Sequence, residues 1–294
     1  MYAPMRKLTL SIVFAFACSC SSFAFQNMEQ VEIKTQQITK EVYLLQGAGG
    51  NIGILTGPDG VFMIDDQFAA LSDKLIAAIA TISEQPVRFL VNTHHHGDHT
   101  GGNENFDDQG ALILAHQNVR ERLKEKATDS TAGIPVITFN DQLNLHINAN
   151  DVMVLHVHNA HTDGDALVYL PQSNVLHTGD TFFNGMFPYI DLSSGGSVDG
   201  DIEAAEKGLS IINEKTKIIP GHGDLASYED YSNYLSMLKS IRENVQKKID
   251  QGATEEEIAL DESLTSEFYT DQEASEFFIN GEKIRRTFYK SLKK

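Results

Sequence analysis

The densest chemistry in this chain lies in Thr93-His94-His95-His96-Gly97-Asp98-His99-Thr100-Gly101-Gly102, where four imidazoles and a carboxylate fall within six residues. His94 and His96 are two apart, so extended backbone points both to the same side, while Asp98 and His99 turn toward an adjacent position. Such a loop can feed two metal ions at once. Imidazole nitrogen with a few carboxylate oxygens is the ligand chemistry of zinc, and of some iron and manganese sites. One cluster cannot complete two coordination shells. Three further donors stand beside glycines or at expected strand ends: His161 in Ala160-His161-Thr162-Asp163-Gly164-Asp165, Asp180 in His177-Thr178-Gly179-Asp180, and His222 in Pro220-Gly221-His222-Gly223.

The other histidines read differently. His95 alternates away from its neighbours and is expected to support or pack rather than ligate. His116, His146, His156, His158 and His177 are expected to be structural or at the surface, with His177 and Thr178 orienting the loop that carries Asp180. Asp163 is ambiguous, and Asp165 either bonds the metal loop or simply opens a strand.

In order, motif and approximate spacing, these residues resemble the metallo-β-lactamase superfamily over roughly Val31 to Asp230. The resemblance implies His94, His96 and His161 on a first metal, Asp98, His99 and His222 on a second, and Asp180 bridging them. It also implies two divalent ions per chain, expected to be Zn2+, and hydrolysis by a metal-bridging hydroxide that Asp98 orients. Zinc lowers the pKa of bound water to about 7, and two ions also polarise the scissile carbonyl and stabilise the developing oxyanion. The fold it implies is a four-layer αββα sandwich of mixed α/β (α+β) class.

The elements needed to position such a site are legible. Val42 to Leu45, Ile52 to Thr56 and Val61 to Ile64 predict a meander of strands separated by glycine-rich turns. A helix opens at Ser72. Val87 to Val91 predicts a buried strand ending just before the histidine cluster, where α/β folds place their chemistry. Further strands are expected at Leu112 to Ala115, Val136 to Phe139, Val152 to Val157, Ala166 to Leu170, Val175 to His177 and Lys217 to Ile219, with helices over Asn118 to Lys126 and Ile202 to Ile212. After Gly223 no strand signal appears. Tyr228 to Asp250 has helical spacing and a last helix is expected over Ala274 to Leu292, so residues 231–294 read as a helical extension packed on a hydrolase domain spanning 31–230.

Composition sets the outer bounds. The 294 residues are 41% hydrophobic and 22% charged, as in folded soluble proteins. The formal charge of −18, with no cluster of Lys and Arg beyond Lys290, Lys293 and Lys294, argues against nucleic acid as a partner; the expected partner is a small-molecule substrate. Arg6 and Lys7, the apolar run Leu8 to Ala17 and then Ser22-Phe23-Ala24 predict a secretory signal in residues 1–24, cleaved after Ala24, and hence a periplasmic protein. The run is too short for a transmembrane anchor. Both cysteines, Cys18 and Cys20, lie inside it, so the mature chain would have no disulfide. Lipid attachment at either is the alternative, weakened by the Ala15-Phe16-Ala17 lead-in.

Substrate is harder to read, because one scaffold in this superfamily hosts β-lactamases, lactonases, thioesterases, sulfatases, nucleases and oxygen reductases. The best-known broad-spectrum β-lactamases have a cysteine at the bridging position and a lysine three residues later; here those positions hold Asp180 and Phe183. Glyoxalase II shares the Thr-His-His-His opening and the bridging Asp, yet that family is chiefly intracellular and binds glutathione through basic C-terminal residues, which an exported chain with an acidic extension fits poorly. Phe183 to Tyr189 is expected to flank the pocket, with the Gly47 to Asn51 turn as a second wall. The leading expectation is opening of a cyclic amide or ester, β-lactam or lactone. Phosphodiester, sulfate-ester or thioester cleavage on the same dimetal site is the alternative, followed by a di-iron redox protein or a non-catalytic metal binder.

Overall fold

A computed structural model describes residues 28–127 and 131–293 of the chain. The proposed export segment, residues 1–24, lies outside the described residues.

Two sheets stack face to face. The first contains β1 (Lys34–Gln37), β2 (Val42–Gln46), β3 (Ile52–Leu55), β4 (Val61–Ile64), β5 (Val87–Asn92), β6 (Leu112–His116) and β7 (Ile137–Phe139), in that spatial order. The second contains β8 (Gln142–Ile147), β9 (Asn150–His156), β10 (Ala166–Leu170), β11 (Val175–His177) and β12 (Lys217–Ile219), ordered β12-β11-β10-β9-β8. Neighbours from β1 to β4 and from β8 to β11 are antiparallel, whereas β4 to β7 and the β11–β12 pair run parallel. The helices are α1 (Ser72–Ala80), α2 (Gly97–Thr100), α3 (Asn103–Asp108), α4 (Gln117–Lys126), α5 (Val198–Ile211), α6 (Tyr228–Asp250), α7 (Glu255–Leu260) and α8 (Gly281–Leu292).

The two-residue period of the strands divides their side chains between layers. Leu44, Phe62, Ile64, Val154, Val168 and Leu170 meet in a core between the sheets. Their sequence neighbours Leu45, Val61 and Met63 pack outward with Leu75 and Ile79 of α1 and Phe106 of α3, while Leu155, Leu167 and Tyr169 pack outward with α5, α6 and α8. Strands apolar on both faces thus require helices on both sides, giving the expected αββα order.

The predicted strands all form, with ends shifted by no more than two residues. β1 and β8 were not expected. Both are edge strands; β1 is polar and exposed throughout and is held by backbone pairing, whereas β8 turns Leu143, Leu145 and Ile147 toward the core between the sheets, an alternation that the sequence carried. Two helix boundaries need correction. α5 begins at Val198 rather than Ile202 because the Ser197 hydroxyl accepts the Gly200 N–H and caps it earlier. The last helix begins at Gly281 rather than Ala274: the Asn280 side chain accepts from Lys283 N–H, and Glu273–Glu276 closes a separate 3-10 turn. Buried Arg285 fixes this region, donating to Ala259 O, Thr265 Oγ1 and both carboxylate oxygens of Asp271 at 2.8–2.9 Å.

Candidate metal centre

The site lies where strands of both sheets end. β5 finishes at Asn92 and leads through Thr93 to the histidines and α2; β4 finishes at Ile64 and leads into Asp65; β11 leads to Asp180, β12 to His222, and the β9–β10 connection carries His161. Asp65 is fully buried and adopts φ +60°, a left-handed conformation strained for a side-chain-bearing residue. Its carboxylate accepts from Thr93 N–H and Thr93 Oγ1 at 2.7 Å and from His99 Nδ1 at 2.8 Å. These three bonds offset the strain and tie the metal loop to β4.

The ring orientations decide what the site can hold. His96 Nε2 donates to Asp191 Oδ2 at 3.1 Å, and His161 Nδ1 donates to the Tyr189 carbonyl at 2.5 Å. Thr93 Oγ1 donates to Asp65, so it accepts from His94 Nδ1 at 3.1 Å. With the outer nitrogens protonated, the inner ones are lone pairs: His94 Nε2 and His161 Nε2 stand 3.1 and 2.9 Å from His96 Nδ1. Burial holds the His94 pKa well below its ordinary value and pushes that of His161 down to about 4, so both rings are neutral. Three lone pairs converging on one point repel unless a cation sits among them.

The same argument applies across Asp180. His99 Nδ1 donates to Asp65, and its Nε2 faces Asp180 Oδ1 at 3.0 Å, so while the ring is neutral neither of these buried atoms has a hydrogen-bond partner. Two buried acceptors left unpaired would cost on the order of 1–3 kcal/mol each. His222 Nε2 lies 3.4 Å from both Asp98 Oδ2 and Asp180 Oδ2, and Asp180 Oδ2 lies 3.8 Å from His94 Nε2 and 3.6 Å from His161 Nε2. His94, His96, His161 and Asp180 form one potential ligand group, and Asp98, His99 and His222 another, with donor atoms inside 4.8 Å in each. The donor set therefore fits two cations with Asp180 between them.

In the absence of a cation, protons satisfy the same lone pairs. Burial disfavours protonation of His99, but Asp180, Asp98 and Asp65 outweigh it and hold its pKa well above the ordinary value. For His222, burial is likewise outweighed by Asp180, and the pKa rises to about 9. Burial opposes ionisation of Asp180, yet His99 and then His222 keep its pKa well below the usual carboxylate range. Glycines make the close packing possible: a Cβ on Gly50 would lie 2.1 Å from the His99 ring, and one on Gly221 would lie 2.1 Å from Asp180 Oδ1.

All seven candidate donors come together. His95 is buried beside Ser194, His146 is paired with Asp151 at the surface, and His116 stacks on His156 with ring centroids 3.8 Å apart. His177 accepts the Gly179 N–H at Nδ1 and donates to Asn51 O, which braces the Asp180 loop as expected. Asp163 pairs with Arg122, and Asp165 accepts from Thr162 N–H and Oγ1, holding the segment after His161. The Gly47 to Asn51 turn does not line the cavity; it packs against His99 instead, because its glycines permit backbone approach there. Asp65, Asp191 and the Tyr189 carbonyl escaped the sequence reading. Of these, Asp65 had a local signal, an acid pair directly after a buried strand.

A cavity of about 490 Å3 opens over His96, Asp98, Asp180 and His222. The family model described as the metallo-beta-lactamase superfamily matches residues 45–235. The chain belongs to this superfamily. Among its relatives, hydroxyacylglutathione hydrolase of Pelagibacter ubique is 27% identical over 55% of this chain and 66% of its own length. Metallo-beta-lactamase type 2 of Bacteroides fragilis is 24% identical over 67% of this chain and 82% of its own. The chain spans only 40% of another curated relative's length. The solved metallo-beta-lactamase from Pontibacter korlensis superposes with a TM-score of 0.63 at 21% identity, covering 71% of this chain and 99% of that one, and so shares the fold.

Proposed function

We propose that this chain is a dizinc hydrolase that opens a cyclic amide or ester, a β-lactam or lactone. The observation that carries the reading is the pair of lone-pair clusters meeting across Asp180, which only cations can satisfy without protonation. His94, His96 and His161 would hold the first ion, Asp98, His99 and His222 the second, and Asp180 both. The relatives named as a hydroxyacylglutathione hydrolase and a metallo-beta-lactamase support a carbonyl-bearing substrate. The ions, when bound, would supply Lewis acidity for the scissile carbonyl and acidify a water.

The protein's share of the work is positioning. Asp98 is the partly exposed carboxylate of the set and lines the cavity, so its Oδ2 is placed to accept a proton from an attacking water and aim it. Asp65, Asp191 and the Tyr189 carbonyl keep His99, His96 and His161 in the tautomers that point lone pairs inward. Two divalent ions against the carboxylates of Asp98 and Asp180 leave a positive centre, which favours a developing oxyanion.

Metal analysis of the purified mature protein, paired with hydrolysis of a chromogenic cephalosporin, tests the reading. Two zincs per chain and turnover that falls at least about 1,000-fold in Asp180→Ala support it. Two zincs without turnover of cephalosporins, lactones or thioesters would move the site to phosphodiesters or sulfate esters; iron, or no metal, would refute it.

The reading includes export of the chain after cleavage behind Ala24, with residues 31–230 as the hydrolase domain and 231–294 as a helical extension. Among the described residues no helix is long and apolar enough to cross a membrane, which is compatible with export. The mass of the protein recovered from the periplasm checks the cleavage point.

A further inference from the structure

The wall of the cavity away from the metal donors is apolar: Phe68, Phe183, Met186, Phe187, Tyr189 and Phe278. Phe278 belongs to the segment between the 3-10 turn Glu273–Glu276 and α8, far in sequence from every other lining residue. It is 56% exposed, and of the exposed large hydrophobic side chains among the described residues it alone lines this cavity. Its neighbour Phe277 packs edge-on against Tyr269 and Phe187, with centroids 5.3 and 6.3 Å apart, and so anchors the segment. Phe278 itself meets Tyr189 edge-on at 5.6 Å, and Tyr189 stacks on His96 at 5.8 Å. One aromatic pile thus runs from a metal-site imidazole to the C-terminal segment.

No Lys or Arg lines the cavity; its ionisable residues besides Tyr189 are His96, Asp98, Asp180 and His222, all in the metal cluster. The nearby cation Lys283 donates to the Phe278 carbonyl at 3.0 Å and lies 5.7 Å from the Phe278 ring, outside the lining. On this wall, away from the metal donors, a substrate carboxylate would be desolvated against aromatic rings with no Lys or Arg to pair it. An alkyl or aryl group there would gain from burial.

We propose that the C-terminal segment completes the substrate site: Phe278, with Tyr189, Met186 and Phe68, holds an uncharged apolar group of the substrate on the wall away from the metal donors and selects against substrates that place a carboxylate on that wall. The proposal rests on the hydrolase reading for the bond that is broken, but the apolar subsite is a property of the cavity itself.

Two measurements separate them. The neutral dye N-phenyl-1-naphthylamine, titrated into the metal-free and the zinc-loaded protein, should bind at one site and be displaced by straight-chain alkanols with affinity rising roughly fourfold per methylene. Phe278→Ala should weaken the dye about tenfold and Phe278→Leu less, and since Phe278 is half exposed neither change empties the core. In turnover, kcat/KM for p-nitrophenyl esters from acetate to octanoate should climb with chain length, and chains ending in carboxylate should lag their alkyl counterparts. Phe278→Ala should lower the octanoate-to-acetate ratio about tenfold, and Met186→Lys should raise carboxylate-ended chains relative to alkyl ones. Equal use of both ester series, or ratios and dye affinity indifferent to Phe278, would overturn the proposal. Dye binding as described with no turnover of these esters, of cephalosporins or of lactones would uphold the subsite and count against the hydrolase reading alone.

Discussion

Replacing Asp65 by Asn tests the tautomer argument on which the metal centre depends. Asp65 accepts three hydrogen bonds, one at Oδ1 from Thr93 N–H and two at Oδ2 from Thr93 Oγ1 and His99 Nδ1. An Asn is isosteric, but its amide nitrogen must donate. Placed at the Oδ1 position it opposes the Thr93 N–H, which cannot reverse. Placed at Oδ2 it turns His99 Nδ1 into an acceptor, which moves the ring proton to Nε2, the atom facing Asp180. The second cation then competes with a proton fixed in place by the protein. Partners of this kind are worth roughly 10–100-fold in metal affinity, or about 1.4–2.7 kcal/mol. The fold also loses at least one charge-assisted bond at a fully buried position, worth about 1.5–3 kcal/mol, which lowers Tm by roughly 3–12 °C. The assay is chelator competition followed by zinc stoichiometry, with 15N spectra of the imidazoles reporting which ring nitrogen carries the proton. Asp65→Asn should bind the second zinc more weakly than the first, with the His99 proton on Nε2. Two zincs at wild-type affinity in that variant would refute the reasoning.

Acid stability offers a separate check away from the metals. Burial, and then the stacked His116, push the His156 pKa down to about 4, below the ordinary histidine value that an unfolded chain would show. Between those values the unfolded chain binds more protons, so this pair's contribution is present at neutral pH and is lost as pH falls toward 4. After allowance for partial solvent screening, the stability difference between wild type and His156→Gln should shift by about 2 kcal/mol between pH 7 and pH 4 in urea melts; a pH-independent difference would contradict the burial argument. In the extension, Asp271→Ala leaves Arg285 buried with only Ala259 O and Thr265 Oγ1 as acceptors. The Asp271 side chain is 42% exposed, so the cost should be about 2 kcal/mol rather than the 3–5 of a fully buried pair, with zinc content unchanged.

The site's ingredients were present in the chain itself. Imidazoles and carboxylates clustered in Thr93 to Gly102, together with His161, Asp180 and His222, mark candidate metal donors by residue type and local spacing, and the structure brings them into groups that could hold metal ions. The strands were equally legible, because apolar runs such as Val61–Ile64 pack on both faces and must be covered by helices on both sides. Polar edge strands such as Lys34–Gln37 were not, since what holds them is backbone pairing and not side-chain pattern.

Tertiary structure alone decided which groups support the donors and what surrounds them. His96 and Asp191 lie 95 residues apart, and His99 and Asp65 lie 34 apart. No periodicity links such pairs; Asp65 and His99 meet because the paired parallel strands β4 and β5 end side by side, and His96 and Asp191 because segments that follow strands of the two sheets converge at one edge. Phe278 lines the cavity while Phe277 and Arg285 fix the residues around it, so the part of this C-terminal segment in the pocket follows from packing that no local pattern encodes.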